Sequence, residues 1–223
     1  MPEEALHLLM DQLHYSGGDG KHAAHALAVA YDGFFRPSEV LSLCGADVHS
    51  LRGKRRRVDL PPVSVTLRPL GELAFGAEAP PRTKTGAHDD SIAFGESRGQ
   101  PGGKAWVAVL LSKLAAKRPG LLFPISLGRF ESLMREAVEA TGLQKLKLTP
   151  HCARHGAANT EYATGGLSLK DIQKRGRWRA SSSVRVYEKS TRLLRQLNTM
   201  TFAQRATASR LSTSLPNHIL SQV

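Results

Sequence analysis

Val63-Ser64-Val65-Thr66-Leu67-Arg68 alternates apolar and polar residues, the period of a half-buried strand, in a chain whose other patterned segments run at the helical period. Ser91-Ile92-Ala93-Phe94 is a weaker second strand candidate. Short strands among helical patterns place the fold in the α+β class, mainly α-helical, with a small antiparallel sheet.

The helical segments are punctuated by Pro, Gly and hydroxyl residues. Pro2 and two glutamates open an apolar-periodic segment through Leu6, Leu9, Met10 and Leu13, stopped by Gly17-Gly18-Asp19-Gly20, and a second helix is expected from His22 to Tyr31. Arg36 precedes Pro37, which suits a first helical position, so Pro37 to Cys44 is expected as a short helix ended by Gly45. Lys104 to Lys117 and Leu127 to Thr141 read as amphipathic helices, the second burying Phe130, Leu133, Met134, Ala137 and Val138.

Thr149 is suited to cap a helix with Pro150 at its first position, which puts His151 in the first turn and Arg154 about one turn later on the same side. Gly165-Gly166 ends that helix, Ser168 caps another to Arg175, and Gly176 breaks it before Trp178. Ser181 to Ser183 start a short helix bearing Tyr187. Thr191 to Ala208 reads as a final amphipathic helix through Leu193, Leu194, Leu197 and Met200, and Ser209 to Val223 as a flexible tail, so the expected domain is 1–208.

A chain of 223 residues with 41% apolar content can bury one core. No stretch approaches the roughly 20 apolar residues of a membrane span. Met1-Pro2-Glu3-Glu4 lacks the basic-then-apolar order of a secretion signal, so an intracellular protein without a membrane partner is expected. Cys44 and Cys152, both in predicted helices, are too few and isolated for a disulfide framework and read as small buried residues.

The formal charge of +12 and pI near 10.2 suit an anionic partner, because Lys and Arg that neutralise phosphates release condensed counterions. Charge alone does not separate DNA from RNA or an acidic membrane; its placement goes further. Arg52, Lys54, Arg55, Arg56 and Arg57 form one cluster, which reads equally well as a solvated loop. Lys170, Lys174, Arg175, Arg177, Arg179, Arg185 and Lys189 form a second around Trp178 and Tyr187. The candidate DNA-binding residues are the first cluster together with Lys174, Arg175, Arg177 and Arg179.

Upstream, Phe35-Arg36-Pro37-Ser38-Glu39-Val40-Leu41-Ser42-Leu43 sets an acid three positions after an arginine, and Arg82-Thr83-Lys84-Thr85-Gly86 follows. Then comes His151-Cys152-Ala153-Arg154-His155, then Trp178 after a Gly-basic turn, and Tyr187 nine positions later. The order and spacing from Arg36 to Tyr187, roughly two thirds of the chain, resemble the tyrosine recombinase (phage integrase) family. The specificity lies in the conjunction of these short boxes.

The resemblance implies the catalytic-domain fold of that family and a site-specific recombinase of mobile DNA, cutting and rejoining strands through a 3′-phosphotyrosine. It implies double-stranded DNA and other recombinase protomers, a tetramer on paired sites, as partners, and residence with DNA in a prokaryotic cytoplasm or a nucleus. Only about 35 residues precede Arg36, so the family's helical N-terminal DNA-clamping domain is expected to be absent.

The residue types fit that chemistry. Tyr187 is the nucleophile; at an unperturbed pKa of about 10, roughly one molecule in a thousand is phenolate at pH 7, an activation cost of about 4 kcal/mol. Arg36 and Arg154 present charged planar forks to two nonbridging phosphate oxygens. The resemblance gives Lys84 the role of general acid for the departing 5′ oxygen. His151 is suited either to accept the tyrosine proton or to hydrogen-bond the phosphate.

Trp178 stands where many members of the family have histidine and some have tryptophan; an indole N–H donates but cannot shuttle a proton, so its role is positioning and packing. Glu39 supports by orienting basic groups and His155 by hydrogen bonding within its helix. The phosphotyrosine conserves the bond energy, so no cofactor and no metal are implied.

Two alternatives stand beside this reading. A DNA-binding descendant would keep the residues without strand exchange. A metal hydrolase is the cross-class alternative, since His151 and His155 lie one turn apart and His88-Asp89-Asp90 could add oxygens, although Arg154 on the same turn repels a cation.

Overall fold

The glycine-rich break after the first helix turns the chain back on itself. In the computed structural model, which describes residues 1–50, 63–67, 90–95, 105–188 and 191–223, α1 (Glu3–Tyr15) and α2 (Gly18–Asp32) form an antiparallel pair. Gly17, at φ 66°, is the residue that makes the tight reversal possible, and α2 starts at Gly18, earlier than the His22 expected from the sequence. Leu9, Met10 and Leu13 of α1 and Leu27 and Val29 of α2 are sealed from solvent at the centre of the molecule.

The chain then passes Phe34 and Phe35 into α3 (Pro37–Leu41), with Pro37 at the first helical position. This helix is shorter than the expected run to Cys44. Leu41 closes it because Cys44 is drawn into an isolated antiparallel bridge with Leu121, and its N–H is taken by Asp47 Oδ2 at 2.9 Å. Cys44 is buried, as expected of a small thiol, but it is not helical.

The sheet has three strands in the order β1 (Val48–Ser50), β2 (Val63–Leu67), β3 (Asp90–Phe94), both pairings antiparallel. Val65 pairs with both Val48 and Ile92, and Val63 with Phe94. The alternation of β2 does what it predicts: Val63, Val65 and Leu67 are buried while Ser64 and Thr66 are partly exposed. β1 carries no alternation of its own and was not expected; it is a strand because the exposed edge of β2 supplies its hydrogen bonds.

The sheet lies against α4 (Ala105–Lys117), which together with α5 (Leu127–Ala140) and α6 (His151–Ala163) packs on the α1–α2 pair, and α7 (Leu169–Arg175) packs on α6. Ser126 caps α5 and Ser168 caps α7 by accepting a backbone N–H three residues on. Pro150 is already helical ahead of α6, and the Thr149 hydroxyl lies 3.4 Å from Cys152 Sγ. The protein is thus mainly α-helical with a small antiparallel sheet.

The C-terminal region departs from expectation. Thr191 to Ala208 is not one helix: α8 (Thr191–Thr199) stops, and α9 (Phe202–Gln222) begins at a capping box in which Thr201 and Gln204 bond each other's backbone N–H groups. The segment 209–223, expected as a flexible tail, is the body of α9. Its Leu215 and Ile219 are buried, α9 packs on α1 and α4, and Lys113 Nζ donates to the Leu220 carbonyl at 2.6 Å. Leu211, Leu215, Ile219 and Leu220 recur at the helical period and pack on the core, but Pro216 in their midst is a residue that ordinarily interrupts a helix, so the segment's local signal for one is weak. No helix among the described residues is long and apolar enough to cross a membrane.

Candidate active site

Box by box, the sequence motifs sit on separate elements, and their side chains converge. Arg36 precedes α3, Glu39 is inside it, His151, Arg154 and His155 lie on α6, Trp178 follows α7, and Tyr187 lies in a 3-10 turn, Arg185–Glu188, preceded by another at Ser181–Ser183. The short helix expected at Tyr187 is therefore two tighter turns.

Glu39 is the hub. Its Oε2 accepts the Arg36 backbone N–H at 2.7 Å and Arg177 NH2 at 2.6 Å, lies 3.7 Å from Arg154 NH1, and its Oε1 pairs with Arg36 NH1. Burial pushes this carboxyl up, but Arg177, the Arg36 N–H and the Arg36 and Arg154 guanidinium groups together outweigh it and hold Glu39 below the usual range. Among the described residues three guanidinium groups thus gather on one carboxylate. The surplus of positive charge suits an incoming anion.

Arg154 is 1% exposed and braces two turns: NH1 donates to the Phe34 carbonyl at 2.8 Å and NH2 to the Gly176 carbonyl. Burial, then Arg36 and Arg177, pull its pKa down to about 10, so it stays charged at neutral pH. The turns it braces carry strained backbone, since Phe34 at φ 53° and Arg177 at φ 55° occupy the left-handed region that costs a bulky residue about 1–3 kcal/mol. Position 176 must be glycine because a Cβ there would strike the Trp178 ring.

Trp178 covers the other side of Arg154, with the guanidinium 4.4 Å from the ring centroid, and its ring lies 5.5 Å from that of Tyr187 at 58°. Tyr187 is 3% exposed, and its hydroxyl lies 2.6 Å from His155 Nδ1; His155 Nε2 lies 3.1 Å from His151 Nε2. Burial lifts the Tyr187 hydroxyl up to about 12 against the pull of Arg154 and Arg192, so making a phenolate at pH 7 costs roughly 7 kcal/mol here. Burial, then His151, Arg154 and Arg192, take His155 down to about 4; partial burial, then Arg154 and Arg36, lower His151. Both rings are therefore predominantly neutral near pH 7.

The contacts run without a gap from Arg36 through Glu39, Arg154, Trp178, Tyr187 and His155 to His151. Lys84, His88, Asp89 and the Arg52, Lys54, Arg55, Arg56 and Arg57 cluster lie outside the described residues. Of the other basic residues, Lys174 and Arg179 are exposed, whereas Arg175 donates twice to the Asp32 carbonyl, at 3.1 and 2.9 Å, and Arg177 is held by Glu39. Arg175 and Arg177 are thus bound up in the turns that build the site. Among the described residues no group of three His, Cys, Asp or Glu side chains could hold a metal ion.

Sequence reading gave His155 only a bond within its helix; the structure adds the Tyr187 hydroxyl. Arg192 also went unnoticed, five positions after Tyr187, where its charge reaches the hydroxyl. No family model matches the chain, and no curated protein does.

Proposed function

We propose that the chain is a site-specific DNA recombinase, or its catalytic domain, of the tyrosine class, with the fold of such domains, acting on double-stranded DNA in cells as part of a protomer assembly on paired sites. The observation that carries this reading is the convergence of Arg36, His151, Arg154, Trp178 and Tyr187, from four separate parts of the chain, into one run of contacts through Glu39 and His155. Unrelated structural roles would not require a phenol, two imidazoles and an arginine cluster to meet.

In this reading the phosphate of one DNA strand sits against Arg36 and Arg154, whose charges offset the negative charge growing on its nonbridging oxygens. Tyr187 attacks phosphorus, and Lys84 protonates the 5′ oxygen that leaves. Trp178 shapes the wall between them. Incubation with nicked duplex DNA tests it: the protein should become covalently attached to a 3′ phosphate in the presence of a chelator, and Tyr187→Phe should not. An adduct with the Phe variant, or loss of reaction on chelation, rules the mechanism out.

A second reading is favoured by one observation. Arg154 spends N–H groups on the Phe34 and Gly176 carbonyls and is closed to solvent, which suits a DNA-binding descendant that no longer cleaves. Tight duplex binding with no adduct identifies that case.

A further inference from the structure

The Tyr187 hydroxyl needs a route for its proton, because it is buried where water does not reach it freely. Among the described residues its hydroxyl meets one side chain, His155, at 2.6 Å from Nδ1. His155 in turn meets His151 through the opposite ring nitrogen, 3.1 Å from Nε2 to Nε2. His151 is exposed, so the chain of three groups leads from the buried oxygen to solvent.

The helix makes this possible. His151 and His155 are four residues apart on α6 and therefore on one face, with ring centroids 4.9 Å apart. Arg154, between them in sequence, spends its N–H groups on the Phe34 and Gly176 carbonyls and takes no part in the contact between the two imidazoles. Tyr187 is delivered against α6 by the 3-10 turn Arg185–Glu188, which packs on that helix.

We infer that His155, the residue after the second arginine, is the catalytic base that takes the Tyr187 proton, and that His151 relays it to solvent. The inference rests on the recombinase reading given above. With His155 carrying its hydrogen on Nε2, the Tyr187 hydroxyl donates to the lone pair on Nδ1, and the Nε2–H donates to Nε2 of His151. As the tyrosine oxygen forms its bond to phosphorus, its proton passes to Nδ1 of His155. The Nε2 proton moves on to His151, which becomes an imidazolium and releases it to water. The bond from phosphorus to the 5′ oxygen breaks, and that oxygen takes its proton separately from the general acid. No electrons are gained or lost, and each proton has a donor and an acceptor.

This divides the two histidines by geometry. His151 has no contact with the Tyr187 hydroxyl among the described residues, so its part in deprotonation runs through His155. The neutral state of His155 keeps its lone pair available at the pH where the reaction runs.

The test uses full-length protein, nicked duplex DNA and the rate of covalent adduct formation as pH is raised from about 6 to about 9. His155→Asn keeps an amide near the position of Nδ1, able to hold the hydroxyl by a hydrogen bond but unable to accept its proton. It should bind DNA as the parent protein does, form adduct about 100-fold more slowly at pH 7, and gain about tenfold per pH unit, since its phenolate must then come from bulk solvent. The parent rate should stay level over that range. His151→Asn, altered at an exposed ring, should show the same slope with a smaller loss, about tenfold. Parental rate and a level profile in His155→Asn overturn the inference while leaving the recombinase reading in place. Should that variant fail to fold, a level parental profile in His151→Asn overturns the relay. No adduct from the parent protein overturns the recombinase reading itself, and the inference with it.

Discussion

The Arg154 guanidinium lies 4.4 Å from the centroid of the Trp178 ring, a stacked pair in which a fully buried cation is roofed by an indole. Trp178 also walls Tyr187, so one side chain joins the arginine cluster to the buried phenol. Trp178→Ala should lower stability by about 3 kcal/mol through lost packing and cation–π attraction, and Trp178→Phe by about 1 kcal/mol. Urea unfolding at pH 7 measures both; equal losses for the two variants would show that ring size, rather than an aromatic face, is what matters.

Glu39 is the one acid among the described residues that touches three arginines of the site. Its partial exposure moderates the cost of losing it, yet Glu39→Gln removes the negative charge that faces buried Arg154 and holds half-buried Arg177. A loss of about 2 kcal/mol is expected in denaturant midpoint. A change under about 0.5 kcal/mol would mean the cluster tolerates its own repulsion.

Acid should weaken the fold through a second histidine cluster. His14 of α1 and His25 of α2 are buried with ring centroids 5.7 Å apart, and His218 of α9 lies 5.2 Å from His14. His25 has no hydrogen-bond partner on either ring nitrogen among the described residues. Burial, then His14, His22, Arg118 and Lys21, take it down to about 3, and burial, His218 and Lys21 lower His14, while Asp11 is the acid facing His218. The folded state therefore refuses a proton that the unfolded chain accepts at about 6.5, so the stability is complete above pH 6.5 and falls as pH drops toward 3. Between pH 6.5 and 5 His25 alone should cost about 2 kcal/mol, and His25→Leu should flatten that slope. Chemical denaturation at the two pH values decides it.

Leu215 and Ile219 fasten α9 to the body of the protein. Leu215→Ala and Ile219→Ala should each cost about 2–4 kcal/mol, a loss no flexible tail could show. Wild-type unfolding midpoints in both variants would detach α9 from the fold.

Lys84 and Arg154 should separate on a substrate with sulfur in place of the bridging 5′ oxygen. A thiolate leaves without a proton, so Lys84→Ala should be slow on ordinary DNA and recover on the sulfur substrate, whereas Arg154→Ala should recover on neither. Equal slowness of the Lys84 variant on both substrates removes it as the general acid.

The sequence by itself determined the elements whose cause is local. The alternation of Val63 to Leu67 became β2, Pro37 opened α3, Ser126 and Ser168 capped α5 and α7, and Gly176 ended α7, because period, cap and φ preference act within a few residues. It also marked Arg36, Lys84, His151, Arg154, Trp178 and Tyr187 as a set, with Glu39 and His155 in support; Lys84 lies outside the described residues, and the other seven form one run of contacts.

Tertiary structure decided everything that depends on a distant partner. β1 exists because β2 lies beside it, Cys44 left its helix for Leu121, and residues 209–223 became the end of α9 because α1 offers a surface for Leu215 and Ile219. The same holds within the site. That His155 faces Tyr187, and that Arg177 answers Glu39 from 138 positions away, follows from how α3, α6 and the turn after α7 pack, since hydrogen bonds between remote residues leave no period in a sequence.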